Sequence, residues 1–100
     1  MTEKINELIE YSKKGILSKE IVKNDKLNIT LFCMAEGTEM SEHTSTKPGT
    51  VYVVEGAGIF NLEGKDILMA PGVFIYMEEN SVHSIKANKN TSFILSLFDA

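Results

Sequence analysis

The sequence predicts a small all-β protein in which antiparallel strands close into a barrel, preceded by one short helix. Three observations lead to this fold class. Runs of β-favouring residues recur from position 27 to the end, turn residues separate them at intervals of about 8 to 12 residues, and nothing between them has helical periodicity. The chain of 100 residues is long enough for one hydrophobic core but not for two. A single domain is expected.

The N-terminal segment has the pattern of a helix. Apolar residues recur there at helical spacing at Ile5, Leu8 and Ile9. Thr2 can cap the first turn, and Gly15 follows two lysines at the end of the pattern. We predict a helix over 1–15, packed outside the main body but within the same domain, and a β barrel over 16–100.

Strands are predicted from Leu27 onward, where apolar and polar side chains begin to alternate. The predicted strands are 27–34, 50–55, 59–62, 66–69, 73–77, 82–87 and 91–98. The run 73–77 is apolar on both faces and therefore needs cover on both sides. For this reason we expect two copies of the chain to pair as a homodimer.

Composition excludes several classes of partner. The net charge is -4, and the lysines are scattered rather than clustered, so nucleic acid is not an expected partner. No apolar run is long enough to cross a bilayer, and the N-terminus lacks the apolar stretch of a secretory signal. The single cysteine, Cys33, cannot form an internal disulfide, which favours the reducing cytoplasm.

Two segments of the chain each place a histidine at a fixed distance after a glycine. Five residues separate Gly37 from His43, and Gly56 follows after the next strand. In the second segment, Gly72 precedes His83 by eleven positions. These spacings resemble the two motifs of the cupin superfamily, and two motifs in the right order are more specific than either alone. The resemblance implies a small, jelly-roll-like barrel.

The resemblance covers 27–98, but the metal-binding motif is degenerate. In metal-dependent cupins, three histidines and one glutamate hold a divalent ion. Here Ser45 stands at the second histidine position and Gly49 at the glutamate position. The resemblance therefore implies a reduced site in which only His43 and His83 are metal ligands, holding Fe, Mn, Ni or Zn weakly. Ser45 and Gly49 are expected to line the same ligand pocket.

Strand geometry explains why these replacements matter. Residues two apart on a strand point to the same side, so Ser45 keeps the direction of a ligand. Its neutral hydroxyl is nevertheless a poor donor for a borderline metal. Glu39 shares strand parity with His43, and Glu79 shares it with His83, so either glutamate supplies a carboxylate if the backbone there is regular.

The same residues also have plain structural interpretations. His43 and His83 fit hydrogen-bonded pocket residues without a metal, and Cys33 fits a small buried hydrophobe. Four methionines fit core or pocket lining: Met34, Met40, Met69 and Met77.

Two hypotheses for function follow, because a fold of this kind does not fix an activity. The first is a non-catalytic or weakly catalytic module that binds a small molecule in the barrel, which the missing ligands favour. The alternative is a metal-dependent enzyme of the dioxygenase or isomerase type, acting on a small organic acid, sugar or phenolic compound. The residues leave open whether the chain catalyses a reaction.

Overall fold

The computed structural model describes residues 1–99 and consists of one short helix followed by nine strands. In chain order these are α1 Ile5–Leu8, β1 Ile16–Lys23, β2 Leu27–Met34, β3 Glu39–His43, β4 Gly49–Glu55, β5 Gly58–Leu62, β6 Lys65–Met69, β7 Phe74–Met77, β8 His83–Ala87 and β9 Thr91–Phe98. The predicted all-β class is confirmed. No helix in the described part of the chain has the length and hydrophobicity needed to span a membrane.

The strands form two sheets that enclose the core. The five-stranded sheet has the order β1-β2-β9-β4-β7, and the four-stranded sheet has the order β3-β8-β5-β6. Every strand pair in residues 1–99 is antiparallel. The side chains buried between the sheets are Met34, Val51, Val53, Phe60, Met69, Ile75, Met77, Ile85, Ala87 and Phe93. These inward positions alternate with outward ones along the regular strands, as expected for two antiparallel sheets packed face to face.

Two strands lie where none was predicted. Strand β1 pairs with β2, but a bulge between Glu20 and Val22 shifts its register and breaks the two-residue alternation that identifies a strand. Strand β3 is short, and a second register shift lies between Met40 and His43. Periodicity did not predict either strand, because a register shift interrupts the two-residue alternation in both.

The predicted helix over 1–15 is wrong in extent, because helical geometry covers only α1. Its N-cap residue, Lys4, makes no side-chain cap, and a helix this short gains little from its own hydrogen bonds. Ile9 is already extended, and the following residues lie against the outer side of the five-stranded sheet. The hydroxyl of Tyr11 donates to a carboxylate oxygen of Glu55 at 2.8 Å. Contacts with the sheet therefore override the local helical pattern.

Candidate functional site

The register between β3 and β8 brings the two histidines together. His43 is the last residue of β3, His83 is the first residue of β8, and the two are directly opposite each other in the ladder. Their ring centroids are 4.1 Å apart, with an angle of 62° between the ring planes. Two residues that are 40 positions apart in the sequence thus form one pair of imidazoles.

Both rings are held by the same hydrogen bond to the backbone. The Nδ1 atom of His43 lies 2.7 Å from the carbonyl oxygen of Ser41, and that of His83 lies 3.0 Å from the carbonyl oxygen of Ser81. A carbonyl oxygen can only accept a hydrogen bond, so each Nδ1 carries the proton and each neutral ring keeps a lone pair on Nε2. Both rings are therefore oriented with Nε2 free to accept a hydrogen bond or bind a metal.

The two Nε2 atoms have no hydrogen-bond partner among residues 1–99. Within the described chain, Ser92 Oγ is the only fully buried side-chain nitrogen or oxygen that lacks a partner. The Nε2 atom of His83 also lacks a partner but is not among the fully buried atoms. It therefore keeps some contact with solvent, although the residue as a whole is only 6% exposed. His43 is exposed, so this imidazole lies at the entrance to the pair.

Burial changes the protonation of His83. Loss of solvation is the largest influence and lowers the pKa of His83 below its ordinary value of 6.5, and the nearby His43 ring lowers this pKa further. The carbonyl of Ser81 acts in the opposite direction, because it accepts from the protonated ring. The ring of Phe60 lies parallel to His83 at 5.7 Å and contributes to this apolar surrounding. His83 is therefore neutral at pH 7.

The histidines face a small cavity between the sheets. The cavity has a volume of about 60 Å³ and is lined by Phe32, Met40, His43, Val51, Phe60, Met77, His83, Ile85, Phe93 and Leu95. Apart from the two imidazoles, every lining side chain is apolar. Sequence reasoning predicted the histidines here and gave four methionines as core or pocket lining. Met40 and Met77 line the cavity, whereas Met34 and Met69 lie in the core. It missed Phe60, whose inward position could have been read from the alternation along β5.

Ser45 and Gly49 are close to the histidines in sequence but do not line this cavity. The Ser45 hydroxyl accepts from the Lys47 amide at 3.2 Å. At Gly49, an added Cβ would lie 2.7 Å from the carbonyl oxygen of Ser96 and 2.8 Å from a methyl carbon of Leu97. The close approach of β9 therefore requires glycine at this position.

The two glutamates that share parity with the histidines do not join them. The register shift between Met40 and His43 reverses the facing of residues before it, so Met40 points inward and Glu39 outward. Glu79 lies in the turn before β8 and is exposed. The backbone of β3 is therefore not regular, and Glu39 does not supply a carboxylate to the histidine pair.

A divalent ion of the kind held by metal-dependent cupins does not fit this donor set. No group of three or more His, Cys, Asp or Glu side chains in residues 1–99 is placed to hold a metal. The cavity supplies two imidazoles and no carboxylate, which leaves most of the coordination shell and both positive charges unmatched.

A larger hollow of about 860 Å³ lies away from the histidines, on the outer side of the four-stranded sheet. It is an open groove with charged side chains that include Glu39, Asp66 and Lys86. The amide of Asn61 donates to Asp66 within it at 2.8 Å. Because this groove is open to solvent and lacks the imidazoles, the cavity between the sheets is the better candidate site despite its smaller size.

Comparison with known proteins identifies the family. A family model described as "Cupin domain" matches residues 30–98, which is most of the chain. This chain belongs to the cupin family. No curated protein matches it.

Solved structures share the fold at low sequence identity. A conserved protein of unknown function from Streptococcus pyogenes has a TM-score of 0.90 at 20% identity, with 100% of this chain and 88% of that chain covered. A cupin superfamily protein from Desulfitobacterium hafniense has a TM-score of 0.88 at 19% identity, with coverage of 94% and 86%. Salicylate 1,2-dioxygenase from Pseudoaminobacter salicylatoxidans has a TM-score of 0.79 at 16% identity, covering 84% of this chain and 25% of that chain.

The lowered pKa of His83 predicts how stability depends on pH. Below pH 6.5 the unfolded chain binds a proton at His83 that the folded chain does not, so the free energy of unfolding should rise as the pH increases to about 6.5 and then level off. One proton limits the slope to about 1.4 kcal/mol per pH unit. Urea denaturation from pH 5 to 8 measures this.

The substitution His83→Gln should remove this rise, whereas His43→Gln should retain most of it, because burial is the largest cause of the shift. A rise that is the same in the protein and in His83→Gln would contradict the assignment.

Proposed function

We propose that this cupin barrel is a non-catalytic or weakly catalytic binding module that holds a small ligand against His43 and His83. The observation that supports it most is the pair of free Nε2 atoms at one apolar cavity. Ligand sites of this kind combine an apolar lining with a few polar groups that fix orientation. The two imidazoles provide such groups here.

The chemistry of the cavity limits the ligand. A neutral Nε2 accepts hydrogen bonds, so an organic ligand must donate through a hydroxyl or an N–H group. The cavity of about 60 Å³ is far below the roughly 300–1,000 Å³ of sites for drug-sized molecules. A ligand therefore has only a few non-hydrogen atoms, unless flexible lining such as Met40 and Met77 moves aside.

A thermal-shift assay in metal-free buffer tests ligand binding with a panel of compact alcohols and phenols. We expect at least one compound to raise the melting temperature, since a ligand at 100 times its Kd stabilises the folded state by about 2.7 kcal/mol. His43→Gln should reduce this rise because the variant lacks the imidazole acceptor.

Thr44→Ala is the matched control, because Thr44 is exposed and adjacent to His43 but does not line the cavity. Failure of the whole panel, or an equal loss in Thr44→Ala and His43→Gln, counts against the binding module.

The alternative function is a metal-dependent enzyme of the dioxygenase or isomerase type that acts on a small organic acid, sugar or phenolic compound. The closeness of the two imidazoles supports it, and one structural neighbour is a dioxygenase. That neighbour is 16% identical and supports the fold only. The absence of a carboxylate from the cavity lining makes the binding module the better supported proposal.

We place the chain in the cytoplasm as part of this proposal. Its single cysteine, Cys33, is free and fully buried, which suits a reducing compartment. The net charge of -4 with dispersed lysines continues to disfavour nucleic acid as a partner.

We also propose that two copies of the chain pair through the aromatic face, defined as the outward side chains of β4, β7 and β9: Thr50, Tyr52, Phe74, Tyr76, Ile94 and Ser96. Tyr52 lies opposite Phe74 in the ladder. The exposed fractions are 46% for Tyr52, 63% for Phe74 and 56% for Tyr76. An outward sheet face normally alternates to polar residues, so these aromatics are unusual.

A second copy suits the aromatic face for two reasons. The face has no charged residue, so a partner needs no complementary charge and an identical surface is acceptable in a two-fold dimer. Each of the three aromatic side chains is about half exposed and so offers roughly half of the 150–250 Å² that an aromatic side chain can bury, which suits the centre of an interface of about 800 Å² per partner. On the same sheet, the outward side chains of Leu31 and Cys33 are fully buried, on the side where the N-terminal segment lies.

Light scattering after size-exclusion chromatography tests the dimer. The protein should have twice the 11.1 kDa mass of one chain, and Phe74→Arg should convert it to a monomer because a buried unpaired charge is costly. Leu68→Arg is the control, since Leu68 is 66% exposed but belongs to the four-stranded sheet. A protein that stays monomeric at the highest concentration tested would rule out the pairing.

A further inference from the structure

The outer side of the five-stranded sheet, which faces away from the histidine cavity, carries a row of cross-strand neighbours. Leu17 of β1 lies opposite Cys33 of β2, Cys33 lies opposite Ser92 of β9, and Ser92 lies opposite Glu55 of β4. Directly opposite residues have Cβ atoms about 4.5–5.5 Å apart, so the thiol of Cys33 and the hydroxyl of Ser92 are neighbours. Both residues are fully buried, although they lie on the outer side of the sheet.

The N-terminal strap, defined as residues 5–14, covers this row and is tied to the sheet on both sides of it. On one side, the ammonium of Lys19 on β1 lies 3.0 Å from the carboxylate of Glu10. On the other side, the hydroxyl of Tyr11 donates to Glu55 at the end of β4, at 2.8 Å. Strands β2 and β9 lie between β1 and β4. The strap therefore passes over the two middle strands and shields the buried thiol and hydroxyl from solvent.

The strap is held loosely enough to open without unfolding the barrel. None of residues 5–14 is itself buried, and its helix α1 has no side-chain cap. Gly15 follows the strap with a positive φ of 96°, and its carbonyl accepts from the Ala35 amide at 3.0 Å, so the strap can open at Gly15 while β1 stays paired. A segment with few buried contacts opens locally at a lower free energy than global unfolding requires.

The closed strap leaves the hydroxyl of Ser92 without a hydrogen bond. Among residues 1–99, Ser92 Oγ is the one fully buried side-chain nitrogen or oxygen that has no partner. Burial raises the pKa of Tyr11 to about 12, and the nearby Ser92 hydroxyl opposes this shift, but the two hydroxyls do not meet in hydrogen-bonding geometry. A buried polar group that lacks a partner calls for a physical explanation, such as a redox role. An oxygen atom bonded to the neighbouring sulfur of Cys33 would be the acceptor that Ser92 lacks.

We propose that Cys33 is a redox modification site gated by the strap. When the strap opens, hydrogen peroxide oxidises the thiol to a sulfenic acid, and Ser92 donates to the added oxygen once the strap has closed. The sulfur forms a bond to one peroxide oxygen, the O–O bond breaks, and the leaving hydroxide takes up the thiol proton as water. The sulfur thereby loses the two electrons that the peroxide gains.

Two features of the chain let the sulfenic acid persist. Cys33 is the single cysteine, so no second thiol of the same chain can convert the product to a disulfide. The closed strap also shields the product from thiols in solution. This site goes beyond the proposed ligand-binding function, because Cys33 and the histidine cavity lie on opposite sides of the five-stranded sheet.

The rate at which iodoacetamide alkylates Cys33 tests the gate. Labelling should be slow and should depend only weakly on low urea concentrations, because opening the strap exposes less surface than global unfolding does. Tyr11→Phe removes the tie to Glu55 and should speed labelling about fivefold, the factor expected for one hydrogen bond.

Tyr76→Phe is the matched control for the gate, because Tyr76 is 56% exposed on β7, at the edge of the same sheet far from β1. Equal labelling rates in Tyr76→Phe and Tyr11→Phe would overturn the proposal. So would labelling with the full urea dependence of global unfolding, since the thiol would then be reached only in the unfolded chain.

Oxidation by dilute hydrogen peroxide tests the chemistry. After unfolding and trapping with a carbon nucleophile that reacts with sulfenic acids, peptide mass spectrometry should find one added oxygen on Cys33, apart from any on the methionines. Ser92→Ala should raise the ratio of sulfinic to sulfenic acid several-fold, because the hydrogen bond from Ser92 draws electron density from the sulfur that a second peroxide attacks. The ratio is compared at equal total oxidation, where a change in strap opening affects both steps alike.

Ser96→Ala is the matched control for the chemistry, since Ser96 lies on the same side of β9 but opposite Ile29 rather than Cys33. It should leave the ratio of sulfinic to sulfenic acid unchanged. Equal ratios in Ser96→Ala and Ser92→Ala would show that Ser92 does not bind the added oxygen, and the absence of singly oxidised Cys33 would show that no sulfenic acid persists. Either result would overturn the proposal.

Discussion

The antiparallel pairing of β3 with β8 is the constraint on which the site depends. It sets His43 opposite His83, and a slip of one residue would turn one ring to the other side of the sheet. The two hydrogen bonds to the carbonyl oxygens of Ser41 and Ser81 then hold Nδ1 of each ring against the backbone. Nε2 is the nitrogen left for a ligand. Register and hydrogen bonding together place the two imidazoles side by side, with ring centroids 4.1 Å apart and each Nδ1 bound to the backbone.

The interior between the sheets and the outer side of the five-stranded sheet differ in how their side chains are exposed to solvent. The space between the sheets is apolar except at the histidine pair. A hydrogen bond to either imidazole is therefore electrostatically stronger there than it would be in water. The outer side of the five-stranded sheet is divided in two: Leu31 and Cys33 are buried, whereas Phe74 and Tyr76 remain open. One chain thus leaves an apolar surface uncovered at a place separate from its cavity.

Much of the fold could be predicted from the sequence, and the failures have physical causes. Strands 27–34 and 91–98 agree with β2 and β9 to the residue, because their alternation is unbroken. The motif glycines Gly37, Gly56 and Gly72 have positive φ angles of 85°, 110° and 90°, a conformation that glycine adopts without strain. The helix was overextended because local periodicity does not include contacts with the sheet.

The site was less predictable than the fold. The convergence of His43 and His83 follows from the motifs, but the facing of Glu39 depends on a bulge that no local pattern announces. The size of the cavity depends on how side chains such as Phe60 and Ile85 pack across it, and packing of distant strands is not encoded in spacing along the chain.

The site depends most on the Nδ1 proton of each imidazole, which is donated to a backbone carbonyl and leaves Nε2 as the ligand-binding nitrogen of the neutral ring. A long-range proton–nitrogen NMR spectrum of the histidine side chains measures this directly, since it distinguishes the two tautomers of each ring. Both His43 and His83 should show the Nδ1-protonated tautomer. A proton on Nε2 of either ring, or the averaged signals of freely exchanging tautomers, would contradict it.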